Sequence, residues 1–118
     1  MTQFDAARRS KLVLQIVEVL CESWPTQYYE FGPSLNDFVS ESVSVAIADG
    51  FSRKDDLTHY ANIVFAVVVD LNLGANPHDV VWVRLTRADV SQPPEARVAR
   101  MYVYLYNIYD QVEAKFKR

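Results

Sequence analysis

The chain has 118 residues, of which 50% are hydrophobic, and a formal net charge of −3 at pH 7. These values are typical of one globular domain and exclude a disordered chain. A net negative charge gives no general attraction to nucleic acid or to an anionic membrane, so neither is predicted as a partner. Glycine occurs only 3 times, which disfavours the tight turns of a β-sandwich and predicts a single all-α domain over residues 1–118.

The start of the chain predicts a first helix over residues 3–23. Apolar residues recur there at steps of three and four, which places them on one helical face. They are Val13, Ile16, Val17, Leu20 and Trp24. Pro25 ends this helix, because proline has no amide hydrogen and restricts the residue before it. We expect a tyrosine-rich connector with Tyr28 and Tyr29 to follow.

Capping signals mark the next two helices, which are predicted over residues 35–49 and 53–72. Ser34 is placed to cap the first of them, and Asp37 falls in its first turn. Gly50 suits the left-handed residue that often follows a helix. The wide apolar pattern of the later helix predicts that it is buried on much of its circumference.

The last two helices are predicted over residues 77–88 and 94–117. Asn76 supplies a cap for the first, and Pro77 suits its first helical position. Residues 80–87 are rich in β-branched side chains and also suit a strand, but a lone strand would leave its backbone groups unpaired. The final helix has an apolar arc wide enough to form the centre of a bundle of about five helices or to face a partner. The residues predicted to form the core are Phe51, Tyr60, Val64, Val68, Leu105 and Tyr109.

The chemistry-bearing residues do not form a recognisable active site. His59 and His78 are the only imidazoles, and neither has a second histidine or cysteine nearby to complete a metal site. The neighbouring acids Asp55 and Asp56 fall in the first turn of a predicted helix, where the helix dipole favours acids. We therefore predict no catalytic residue, no metal, no cofactor and no enzymatic activity.

The compartment is predicted from three features of the sequence. The single cysteine, Cys21, allows no disulfide within the chain, which is typical of a reducing environment. The first residues lack the charge pattern of a secretory signal. No apolar run approaches the roughly 20 residues of a membrane-spanning helix. Together these features predict a cytoplasmic protein.

Tyrosine is unusually frequent near the end of the chain, where Tyr102, Tyr104, Tyr106 and Tyr109 lie close together. Steps of two place alternate tyrosines on different sides of a helix, so they cannot all be buried in one seam. Tyrosine is also enriched at protein interfaces. The candidate partner-binding residues are therefore Tyr104, Tyr106 and Trp82, followed by Tyr28 and Tyr29.

One part of the sequence carries an ordered series of motifs. Residues 50–60 contain Gly-Phe, four further residues, Asp-Leu, two further residues and Tyr. Phe65, Trp82 and a Pro-Glu-x-Arg motif at residues 94–97 follow. Over about residues 33–106 the chain resembles small helical accessory proteins encoded beside spike and effector genes of bacterial type VI secretion systems. The resemblance implies a non-catalytic role as an effector adaptor, a co-chaperone or an immunity protein.

The sequence thus predicts a non-catalytic protein-binding module whose partner is an effector, a toxin or a secretion spike component. The preferred hypothesis is an adaptor or co-chaperone for a secreted bacterial effector. The first alternative is an immunity protein, which would present an acidic patch to a basic toxin. The acids available for such a patch are Asp55, Asp56, Asp70 and Asp79. The second alternative is a self-associating structural protein, in which the apolar arc of the last helix forms a homodimer seam.

Overall fold

The structure is a computed structural model and describes residues 6–71 and 76–116. The α-helices of this part of the chain are α1 (Ala6–Ser23), α2 (Pro25–Phe31), α3 (Ser34–Ala48), α4 (Lys54–Ala66), α5 (Val81–Arg87) and α6 (Pro94–Phe116). A π-helical segment at Val67–Leu71 follows α4, and a 3-10 turn at Pro77–Asp79 precedes α5. No residue within the two described ranges lies in a β-strand, and the all-α prediction is confirmed.

Contacts between residues divide the chain into two compact units, residues 1–62 and residues 63–118. The first unit contains α1, α2, α3 and most of α4. The second unit contains the end of α4, the π-helical segment, the 3-10 turn, α5 and α6. One domain over residues 1–118 stays a prediction.

In the first unit, α1 packs against α3 because each helix has an apolar face. The fully buried side chains of this unit include Ile16, Leu20, Leu35, Val39, Val43, Phe51 and Tyr60. The indole Nε1 of Trp24 donates a hydrogen bond of 2.9 Å to the Asn62 side chain, which joins the end of α1 to α4. The rings of Phe51 and Tyr60, both predicted core residues, have centroids 6.0 Å apart.

Two helix boundaries of the first unit differ from the predictions. Pro25 ends α1 as expected, but it also occupies the start of α2, so the segment predicted as a tyrosine-rich connector is helical. The predicted cap at Ser34 is wrong, because Ser34 is already the first residue of α3. Pro33 holds the cap position and makes no side-chain capping hydrogen bond.

Gly50 follows the end of α3 in the left-handed conformation that the sequence predicts, with a φ of 96°. Its amide donates to the Ile47 carbonyl at 3.0 Å, and the Phe51 amide donates to the Ala46 carbonyl at 3.0 Å. This pair of bonds is the Schellman motif, in which carbonyls at the end of a helix obtain donors. The turn brings Phe51 from the end of α3 into the core.

We expect Gly50→Ala to lower the free energy of unfolding by about 1–2 kcal/mol, because a Cβ atom disfavours the left-handed conformation. Urea denaturation followed by circular dichroism measures the change. Glu41→Ala, at an exposed position of α3, is the control and should stay within about 0.5 kcal/mol of the wild type. A Gly50→Ala variant as stable as the wild type would show that the turn tolerates an ordinary residue.

In the second unit, α5 packs along α6. The fully or almost fully buried side chains of this unit include Val64, Phe65, Val67, Val83, Met101 and Leu105. The core predictions for Val68 and Tyr109 are wrong, because both side chains are partly exposed. Val68 lies in the π-helical segment, whose wider turn shifts side chains away from the positions that α-helical spacing predicts. The Tyr109 ring lies at the margin of the core, with its hydroxyl group bonded to Asp70.

The helix predicted over residues 77–88 is divided into two elements. Asn76 is the predicted cap, and its side chain accepts a hydrogen bond of 2.9 Å from the His78 amide. The capped element is only a 3-10 turn, because Val80 has extended backbone angles and interrupts it before α5. The segment that also suited a strand is helical from Val81 onward.

The other predicted helix ends that fall on described residues agree with the structure to within one residue. The helix predicted over residues 53–72 begins at Lys54 and changes from α to π geometry at Val67. Residues 3–5, 72 and 117 of the predicted helices lie outside the described residues.

Two buried arginines bind backbone carbonyl groups of the second unit. The Arg87 guanidinium donates to the His78 carbonyl at 3.0 Å. The Arg97 guanidinium donates to the Arg87 carbonyl at 2.8 Å and to the Gln92 carbonyl at 2.8 Å. Carbonyls at the end of a helix lack partners within the helix, so these bonds connect the 3-10 turn, α5 and α6.

We expect Leu105→Ala to lower the free energy of unfolding by about 2–5 kcal/mol, because it leaves a cavity around a buried position. Leu85→Ala removes the same atoms from an exposed position of α5 and should change the stability by no more than about 0.5 kcal/mol. Thermal or urea denaturation of both variants measures the difference. Equal losses would contradict the burial of Leu105.

Candidate protein-binding site

Exposed apolar side chains of the second unit surround an aromatic pair. Val81 and Leu85 are each 59% exposed and lie four residues apart, on one face of α5. Trp82 lies on the same side of the helix and packs against Tyr104 of α6, with ring centroids 5.9 Å apart. Tyr104 is 41% exposed. Val81, Trp82, Leu85 and Tyr104 are called the aromatic patch.

A second group of tyrosines lies on the other flank of α6. The Tyr102 and Tyr106 rings are stacked with centroids 5.8 Å apart, and the Tyr106 and Tyr109 centroids are 6.5 Å apart. Two residues turn an α-helix by about 200°, so Tyr104 and Tyr106 point to nearly opposite sides. The structure therefore brings Trp82 and Tyr104 together but does not bring Tyr106 to them.

The row of tyrosines ends in a hydrogen bond to the π-helical segment. The Tyr109 hydroxyl donates to Asp70 Oδ2 at 2.6 Å. Burial of the ring, followed by the hydrogen bond and the negative charge of Asp70, raises the pKa of Tyr109 above its ordinary value of 10.0. Tyr109 thus holds its proton and serves as a fixed donor between α6 and the segment that follows α4.

We expect the stability of the protein to fall as the pH rises above about 10, because the unfolded chain releases the Tyr109 proton while the folded chain retains it. Urea denaturation at a series of alkaline pH values measures this slope. Tyr109→Phe removes the titrating hydroxyl and should show a shallower fall than the wild type. Tyr29→Phe, at a position that is 87% exposed, should follow the wild-type slope. Equal slopes for Tyr109→Phe and the wild type would contradict the expectation.

The two remaining candidates, Tyr28 and Tyr29, lie in α2 of the first unit. Tyr29 is largely exposed, whereas Tyr28 is half-buried. Both line a cavity of about 380 Å³, together with Val17, Gly32, Pro33, Leu35 and Asn36. Helical geometry in α2, which the sequence did not predict, brings these tyrosines to the rim of the cavity.

The acids proposed for an immunity protein do not all reach the surface. Asp56 is only 5% exposed, so its predicted place in an acidic patch is wrong. Asp70 is exposed, but one of its oxygens accepts the Tyr109 hydrogen bond. Asp55 and Asp79 are exposed and belong to the first and the second unit respectively.

His78, one of the residues singled out for chemistry, has a structural position. The His78 amide bonds to Asn76 and its carbonyl accepts from Arg87, so this residue connects the 3-10 turn to α5. Across the residues that the structure describes, no three His, Cys, Asp or Glu side chains are grouped so as to hold a metal ion. No helix in the same residues is long and apolar enough to cross a membrane.

Comparisons of the chain with models of protein families, with curated proteins and with solved structures find no match. The candidate site is therefore defined by the geometry of its own residues. The sequence contained two signals of the aromatic patch, since it placed Trp82 and Tyr104 among the candidates. It contained no signal that Val81 and Leu85 would be exposed beside them, because β-branched and leucine side chains are more often buried.

Proposed function

We propose that this chain is a non-catalytic protein-binding module that acts as an adaptor or co-chaperone for a secreted bacterial effector. The aromatic patch is the observation that carries the binding role, because it combines an ordered aromatic pair with two well exposed aliphatic side chains. The proposal that the partner is a secreted effector is supported by the resemblance of residues 33–106 to accessory proteins of type VI secretion.

The aromatic patch has the physical properties of an interface hot spot. Tryptophan and tyrosine dominate such hot spots, because each buries a large area at a small cost in conformational freedom. Trp82 already packs against Tyr104, so the pair loses little further freedom when a partner covers it. Val81 and Leu85 add apolar area, which contributes about 25 cal/mol per Å² when it is removed from water.

The two alternatives need surfaces of a different kind. An immunity protein depends on charge complementarity with a basic toxin, and the burial of Asp56 removes one of the four acids proposed for that role. Self-association along α6 would use exposed residues such as Val103 and Tyr106. These side chains lie outside the aromatic patch, so variants on α5 distinguish the two kinds of contact.

We expect Leu85→Arg to weaken binding of the protein partner by about tenfold or more, because it places a charge in an apolar contact. The tagged protein is used as bait in a lysate of its own organism, and a stoichiometric partner is identified and titrated by calorimetry. Tyr104→Ala should lose affinity as well. Val90→Arg is the matched control, because Val90 is 79% exposed in the same unit but lies outside the patch.

The outcomes separate the hypotheses. A partner that is lost with Leu85→Arg and retained with Val90→Arg would support the aromatic patch as the binding site. Equal capture by both variants would contradict it. A wild-type chain that light scattering shows to be a dimer, with no other partner, would replace the adaptor role by self-association.

A further inference from the structure

The sequence predicts Tyr28 and Tyr29 as partner-binding residues, yet they belong to the first unit and take no part in the aromatic patch. They line the cavity of about 380 Å³ together with Gly32 and Pro33. Tyr29 is largely exposed, so its ring stands at the rim of the cavity. The space beside Gly32 is open, because an added Cβ atom would meet no other atom within 4 Å. A ligand can therefore reach both the rings and the backbone here.

A second cavity of the first unit, of about 430 Å³, continues the first one along α1 and α3. Asn36 lines both cavities, so they adjoin at this residue. Their floor is apolar, because Val13 and Leu35 are buried. The other polar residues that line the second cavity are Arg9, Ser10, Asp37 and Ser40. The two cavities together are called the α1–α3 groove.

The α1–α3 groove contains an acid that the described residues do not neutralise. Among the described residues that line it, only Arg9 and Asp37 are charged. The Arg9 guanidinium donates a hydrogen bond to Ser44, late in α3, whereas Asp37 lies in the first turn of that helix. Asp37 is exposed, and its carboxylate makes no hydrogen bond or ion pair with another described residue. Its negative charge suits a basic residue of a ligand.

We infer that the α1–α3 groove binds a proline-rich segment of a partner protein, and that this segment carries an arginine or a lysine. Proline-rich segments adopt the polyproline II conformation and dock into grooves lined by aromatic rings. Tyr28 and Tyr29 supply the rings at one end of the groove. Asp37 supplies the partner for the basic residue, farther along the groove.

The polar groups of the groove favour an extended segment over an amphipathic helix. The carbonyl groups inside a helix are already bonded within that helix, so a docked helix needs mainly an apolar surface. A polyproline II segment has no internal hydrogen bonds, and its carbonyl groups need donors from elsewhere. Asn36 can donate through its amide group, and Ser10 and Ser40 can donate through their hydroxyl groups.

The length of the groove suits a short motif. Along α1 the lining residues extend from Arg9 to Val17, which is about 12 Å at a rise of about 1.5 Å per residue. A polyproline II segment rises about 3.1 Å per residue, so about four residues span this distance. The α1–α3 groove belongs to the first unit and the aromatic patch to the second, so this inference does not depend on the proposed function.

The test is a titration of the ¹⁵N-labelled full chain with a synthetic peptide, followed by NMR. The peptide is acetylated, amidated and has the sequence Arg-Pro-Leu-Pro-Pro-Leu-Pro. We expect saturable changes in the amide signals of Tyr28 and Tyr29 and in the side-chain signals of Asn36. A peptide with alanine in place of every proline should bind about tenfold more weakly or worse, because binding must first order it. Equal affinities of the two peptides would overturn the inference in favour of a general apolar contact or a docked helix.

Tyr29→Ala and Asp37→Lys should each weaken binding of the proline peptide by about tenfold or more, because one removes a ring and the other repels the arginine of the peptide. Asp55→Lys is the matched control for charge, since Asp55 is an exposed acid in the first turn of α4 and does not line the groove. Tyr106→Ala is the control for the loss of an exposed ring, in the second unit. Both controls should stay within about twofold of the wild type.

The unchanged spread of the remaining amide signals verifies that each variant is folded. Equal losses in Asp37→Lys and Asp55→Lys would indicate a response to net charge and would overturn the inference. The absence of saturable changes in the groove signals at millimolar peptide would overturn it as well. Changes confined to Trp82 and Tyr104 would also overturn it, and would leave the aromatic patch as the binding surface of the proposed function.

Discussion

The second unit depends on how the backbone carbonyls around α5 obtain hydrogen-bond donors. A helix of 7 residues is too short to be stable by itself in water. Arg97, from α6, donates to the carbonyl of the last residue of α5, and Arg87 donates to the carbonyl of His78 in the preceding turn. These bonds fix α5 along α6. The packing of Trp82 on Tyr104, and with it the aromatic patch, follows from that placement.

Once α5 is fixed in this way, its two faces have different roles. The inner face of α5 contributes to the folded core, because Val83, Thr86 and Arg87 are buried there. Val81 and Leu85 are left exposed on the outer face, where apolar side chains beside an aromatic pair are typical of a protein interface. The tyrosines on the far flank of α6 include one that is tied to the π-helical segment by Asp70, which gives that flank a structural role.

The two units present surfaces of different chemistry. One cavity of the first unit is lined mainly by cationic and neutral polar side chains, those of Arg8, Lys11, Gln15, Ser52 and Lys54. The aromatic patch of the second unit is mainly apolar and suits a protein partner.

The sequence by itself determined the helical class, the helix boundaries at Pro25 and Gly50 and four of the six residues predicted to form the core. Those features depend on local properties: the missing amide of Pro25, the left-handed conformation of Gly50 and the helical spacing of apolar residues. Only the tertiary structure decided which aromatic residues meet and which cations share a cavity, because these depend on helix packing between residues remote in sequence. Tyr104 joined Trp82 while Tyr106 turned away, and Lys54 joined Lys11 at a cavity rim that no local pattern of charges indicates.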